Sequence, residues 1–149
     1  MPSALLGTSS PYALQFERKT ITFTGAANLG AVGAVPLFTT TGEVLVALLV
    51  PFCTTLLTEA IATATLALGV TGSTALFIAA TTAVDIDANE FWVDTVPDAN
   101  GIAVPAALKD IAITDNIIGT VATQAVNGGV IRLDCYWMAL SDNGSLVAA

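Results

Sequence analysis

The stretch AIATATLALGVTGSTALFIAATTAV, residues 60–84, decides what kind of fold this chain adopts. It carries no charge and is long enough to cross a bilayer as a single helix. Its residue types argue against that. Thr63, Thr65, Thr71, Thr74, Thr81 and Thr82 are β-branched, and Gly69, Thr71, Gly72 and Ser73 give the run a turn-like centre. Such side chains lose rotamer freedom in a helix and pack well on a pleated surface. The stretch is therefore expected to form two strands, Ile61 to Val70 and Ser73 to Thr82, joined by a hairpin at Thr71-Gly72-Ser73, and no membrane partner is expected. Val44 to Val50 is equally apolar but stops at Pro51.

The same pattern extends outward in both directions. Upstream, Lys19 to Thr24 alternates and reads as the first strand, with Ile21 and Phe23 on one face. GAANLGAVGAV (25–35) reads as a loop, and Val35 to Thr39 as a short strand that Pro36 confines to an edge or a strand start. Glu43 to Val50 is apolar on both faces, as in a strand between two layers. Phe52 to Glu59 is compatible with a helical turn through Leu56, Leu57 and Ala60. Downstream, Phe91, Trp92 and Val93 form a short aromatic strand, and Asp94 to Pro105 a loop. Leu108 to Thr114, Ile117 to Thr123 and Val130 to Leu140 follow, with hairpin signals at Asp115-Asn116 and Asn127-Gly128-Gly129. About eight or nine short strands with turns about every ten residues predict an all-β fold, an antiparallel β-sandwich with a jelly roll as one of its forms. Residues 1–17 lack any period and predict an extended N-terminal arm; residues 18–149 predict one sandwich domain.

Composition narrows the function. The chain has 149 residues, is 54% hydrophobic and has a mean hydropathy of +0.78. A domain of this size that folds alone leaves roughly a third of its unfolded surface wet. So apolar a sequence implies burial against further copies or within an assembly. The net charge of −8, with Arg18, Lys19, Lys109 and Arg132 scattered, speaks against nucleic acid as a partner. No Lys or Arg precedes Arg18, so the signal-peptide pattern is missing and a protein made in the cytosol is expected. Cys53 and Cys135 sit in apolar strings, either as buried free thiols or as one disulfide joining the two halves.

Catalytic motifs are absent from the sequence. Without histidine there is no Ser–His or Cys–His pair. The glycines of Gly25 to Gly33 are not spaced as GxGxxG, and no phosphate loop is present. Asp85 and Asp87 would share a strand face about 7 Å apart at the backbone, a spacing not informative enough to support a glycosidase pair. DIDANE (85–90) resembles the start of a calcium loop, then departs from it, with Glu90 where glycine is required and Val96 at the twelfth position. Only a weak cation set of Asp85, Asp87, Glu90 and Asp94 is conceivable, so no metal, cofactor or enzymatic activity is expected. The large anchors are Phe91, Trp92, Tyr136 and Trp137. Each adjacent pair splits across a strand, one ring to the core and the other outward as an interface candidate.

The strings TITFTGAANLGAVGAVPLFTTTGEVLV (20–46), TAVDIDANEFWVD (82–94) and CYWMALSDNGSLVAA (135–149) resemble small structural proteins of tailed bacteriophage virions. The resemblance spans most of the chain from Thr20 onward. It implies a capsid decoration (cement) or minor capsid protein: β-rich, often trimeric, partnered by itself and the major capsid protein, assembled in the host cytoplasm and located on the capsid surface. Two alternatives stand beside it. One is a tail, neck or fibre-base part; the other is a host- or glycan-binding module using an exposed Trp92 or Trp137 as a stacking platform.

Overall fold

The hairpin expected within residues 60–84 is present. In the computed structural model, which describes residues 12–149, β4 (Thr65–Val70) and β5 (Ser73–Thr82) pair antiparallel. β4 starts later than expected because Glu59 intervenes. Its Oε2 accepts the N–H groups of Thr63, at 2.8 Å, and Ala64, which holds residues 60–64 in a turn.

Around this hairpin lie β1 (Gln15–Thr22), β2 (Gly33–Thr41), β3 (Val44–Glu59), β6 (Glu90–Phe91), β7 (Asp98–Ala99), β8 (Lys109–Ile113), β9 (Ile117–Ala122), β10 (Val126–Ala139) and β11 (Ser145–Ala148). One sheet has the order β1-β10-β3-β6-β7, with β8 also pairing β3; the other runs β11-β2-β9-β4-β5. β8 lies along residues 44–48 of β3 and β6 along Phe52 and Cys53, so the two share one edge of that strand. Taken as β1-β10-β3-β8 and β2-β9-β4-β5, the eight main strands cross from one sheet to the other at every step except the β4–β5 hairpin, a strand order like that of a jelly roll. The protein is an all-β antiparallel sandwich.

β3 is the longest departure from expectation. It runs straight through Pro51 to Glu59, and the helical turn at Leu56 does not form. A residue's N–H and C=O point to the same strand edge. The Pro51 carbonyl accepts the Trp92 N–H at 3.1 Å on the β6 side, so the missing proline N–H falls between β8 and β6 and removes no bond to β10. β1 likewise starts earlier than expected. Gln15, Phe16 and Glu17 belong to the sheet, and the part of the expected arm before Tyr12 lies outside the described residues. The tail Ser145–Ala148 pairs with Phe38 to Thr41 of β2.

The core is the space between the sheets. Ile21, Phe23, Val46, Leu49, Ile131 and Leu133 face Val35, Phe38, Leu66, Leu68, Ile117 and Val121, all buried. The short turn Ala106–Leu108 packs against both β3 and β5 and buries Leu108 on one open side. On the other side β1 meets β11: the Ala148 N–H donates to Glu17 Oε2 at 3.1 Å, and Lys19 Nζ donates to the Ala149 carbonyl. Cys53 and Cys135 both face inward as free thiols. Cys53 lies opposite Ile131 and Cys135 opposite Leu49, four residues apart along the ladder. That is roughly 13 Å, beyond disulfide reach.

Candidate interaction surface

Strand alternation sends every second residue of the β1–β10–β3 sheet away from the core. On β1 these are Phe16, Arg18 and Thr20; on β10, Arg132, Asp134 and Tyr136; on β3, Leu48, Val50 and Phe52. Register aligns them in rows: Phe16, Tyr136 and Leu48; Arg18, Asp134 and Val50; Thr20, Arg132, Phe52 and Phe91. Residues distant in sequence thus become a single patch.

Both arginines converge on Asp134. Arg18 forks onto it, Nε to Oδ1 at 2.6 Å and Nη2 to Oδ2 at 3.1 Å. That bond is the main cause holding the Arg18 guanidinium above its ordinary basicity. Arg132 Nε lies 3.4 Å from Asp134 Oδ2, a charge pair without hydrogen-bond alignment. Each guanidinium also sits over a ring, Arg18 at 5.5 Å from the Phe16 centroid and Arg132 at 5.2 Å from Phe52. Phe16 and Tyr136 are in ring contact at 5.0 Å, and Phe52 and Phe91 at 4.9 Å. Phe16 is 46% exposed and Tyr136 39%. The patch offers no nucleophile–base pair. It offers planar groups already fixed in place, the residue types in which binding energy concentrates.

The four aromatic candidates separate as alternation requires. Tyr136 faces outward within the patch, and Phe91 is half-buried against Phe52. Trp92 is a correction: it is 1% exposed, in the core, with its indole N–H on Thr81 Oγ1, because Phe91 takes the outward place on that strand. Trp137 faces between the sheets and packs half-buried on the core. Trp92 presents no open face for a sugar. Sequence reasoning missed Phe16, Arg18, Phe52 and Arg132, because residues 15–17 show no period of their own and Phe52 follows a proline that reads as a strand end. The signal was Phe16-x-Arg18 beside Arg132-x-Asp134-x-Tyr136, the same polar–aromatic alternation on two partner strands.

The remaining sequence candidates resolve as structure. Gly30, at φ +118°, brings its backbone against β10, where its carbonyl accepts the Val126 N–H at 2.8 Å; an added Cβ would lie 2.0 Å from the Val126 oxygen. The glycine loop therefore serves close backbone contact. In DIDANE, the Asp87 N–H donates to Glu90 Oε2, and beyond it the Val96 N–H donates to Asp94 Oδ1. Among the described residues no three of Asp, Glu and Cys are grouped to hold a metal ion, and no helix is long and apolar enough to cross a membrane. A shallow cleft of about 240 Å³ is lined by Glu43, Ala112, Ile113, Thr114 and Leu140, with Glu43 its one ionisable group.

Fold and surface together define an antiparallel β-sandwich with an aromatic–arginine face. The chain matches no protein-family model, no curated protein and no solved structure.

Proposed function

We propose that this chain is a structural subunit of a tailed-phage virion, a capsid decoration protein that assembles with copies of itself, as a trimer, and seals junctions between major capsid proteins. The observation that carries the reading is the aromatic–arginine patch on an outer sheet face of an otherwise acidic, unusually apolar jelly roll. Jelly rolls serve in viral capsids, and also in lectins and cupins, so the fold supports the proposal by analogy only. The resemblance of residues 20–46, 82–94 and 135–149 to phage structural proteins adds to it.

Mechanistically, docking removes apolar area from water. About 1,000 Å² of apolar surface is worth roughly 25 kcal/mol before losses of freedom consume most of it. Repetition around a shell then multiplies a modest contact. The test uses particles of the phage whose genome encodes the chain. Quantitative mass spectrometry should find it in a copy number that matches the capsomers, and purified chain should co-sediment with capsids that lack it. Its absence from particles, or failure to co-sediment, overturns the proposal; a copy number matching a single vertex moves it to the tail or neck.

A further inference from the structure

The β1–β10–β3–β6–β7 sheet carries opposite charges at its two ends. At the β1–β10 end, Arg18 and Arg132 outnumber Asp134. Without these three, the rest of the chain holds eleven acids against two bases. Across the sheet, β6 and β7 lie two and three strands from β10, roughly 10–14 Å, and up to roughly 19 Å from β1. They and their flanking segments hold Asp85, Asp87, Glu90, Asp94 and Asp98. Asp85, Asp87 and Asp98 are exposed. Among the described residues both ion pairs fall on Asp134, so none of these five acids has a cationic partner. Arg18, 51% exposed, retains donors to offer beyond Asp134.

We infer that the aromatic–arginine end of this sheet docks onto the acidic β6–β7 end of a second copy, head to tail. The inference rests on the proposal above that copies of the chain assemble. A two-fold contact of the patch with itself would set Arg18 and Arg132 against their own duplicates, and like charges across an interface cost affinity. Opposite charges on opposite ends instead favour a heterologous contact, which repeats with one hand and, with a rotation that closes, gives the trimeric ring proposed above. Phe16 and Tyr136 supply the apolar area, and the charges set the register. Screening then makes the contact sensitive to salt.

The test is sedimentation velocity of the full chain in low and high salt, with three variants. Arg18→Glu breaks the cationic end, Phe16→Ser/Tyr136→Ser removes the exposed rings, and Asp87→Lys/Asp98→Lys breaks the acidic end while leaving the patch untouched. Circular dichroism checks that each folds. The wild-type chain should form a closed oligomer that high salt weakens. Each variant should associate at least roughly 30-fold more weakly, the scale of losing a hot-spot side chain. Mixing Arg18→Glu with Asp87→Lys/Asp98→Lys should restore association between unlike copies, since every contact then pairs opposite charges, in the original sense at one end and reversed at the other. A wild-type monomer, or the wild-type oligomer persisting in the acidic-end and ring variants, overturns the inference. Capsid co-sedimentation is scored separately. Retained capsid binding with unchanged oligomers defeats only the head-to-tail contact, and lost capsid binding with the expected oligomers defeats only the virion assignment.

Discussion

The indole N–H of Trp92 donates to Oγ1 of Thr81 across 3.0 Å in the interior of the sandwich. Thr81 is 2% exposed and its hydroxyl donates onward to the Ala79 carbonyl at 3.1 Å. Trp92 follows β6 and Thr81 lies near the end of β5, so the bond ties the segment between β5 and β8 to the edge of the opposite sheet.

Thr81→Val should therefore destabilise the fold by about 1–3 kcal/mol, because the valine keeps the shape while leaving a buried indole N–H without an acceptor. Trp92→Phe removes the donor and part of the ring, and the Thr81 hydroxyl keeps its Ala79 partner. The double variant should lose less than the sum of the two. Urea denaturation of all four proteins measures the coupling; strict additivity would mean the bond contributes nothing.

Two glycines with similar dihedrals should respond differently to alanine. Gly30 and Gly33 both have positive φ, +118° and +126°. A Cβ on Gly30 would meet the Val126 oxygen at 2.0 Å, whereas nothing lies within 4 Å of one on Gly33. Gly33→Ala should carry only backbone strain, about 1–2 kcal/mol. Gly30→Ala must also break the contact that seats the loop on β10, and should cost at least about 3 kcal/mol or abolish soluble expression. Equal denaturation midpoints for the two variants would contradict this.

How far these features could be read from residues alone depends on their reach. The β4–β5 hairpin was legible because Thr71-Gly72-Ser73 and the flanking threonines act locally, and alternation alone split Phe91 from Trp92 and Tyr136 from Trp137. Pro51 misled because its effect depends on which edge of β3 it faces, and a one-dimensional string does not show that. Ser145–Ala148 becomes a strand only because β2 offers Phe38 to Thr41. The surface patch was least legible. Phe16, Asp134 and Phe52 become neighbours through the register of β1 on β10 and of β10 on β3, which is fixed by the buried faces of those strands.

The two thiols give the fold an alkaline limit. Burial pushes Cys53 up to about 11 and Cys135 to about 12. Above pH 9 the unfolded chain loses these protons while the folded chain keeps them. The unfolded state then binds fewer protons, and stability falls as pH rises through the 9 to 12 window, by up to about 1.4 kcal/mol per pH unit per thiol. Below pH 8 the thiols contribute no slope. Cys53→Ala/Cys135→Ala should be less stable at pH 7, having lost buried volume, but should show a shallower decline between pH 9 and 10.5. Ellman's reagent should find no reactive thiol in the folded protein and two after denaturation. Parallel alkaline slopes for the two proteins would remove the thiols as the cause.

Asp134 holds two arginines that differ in how much they need it. Arg18 is largely exposed, so water replaces Asp134 when the pair is broken, and Arg18→Ala should leave the denaturation midpoint nearly unchanged. Arg132 is placed otherwise. Its Nε is buried without a hydrogen-bond partner, its guanidinium lies over Phe52, and Asp134 Oδ2 at 3.4 Å supplies its compensating charge. Asp134→Asn leaves two guanidinium groups close together, one of them poorly solvated, and should cost about 1–3 kcal/mol. Added salt should recover part of that loss by screening the repulsion. In Asp134→Asn/Arg18→Ala the repulsion is gone, so stability should rise above that of Asp134→Asn alone. If the second substitution instead lowered stability further, the carboxylate would not be acting as the shared counter-ion of the pair.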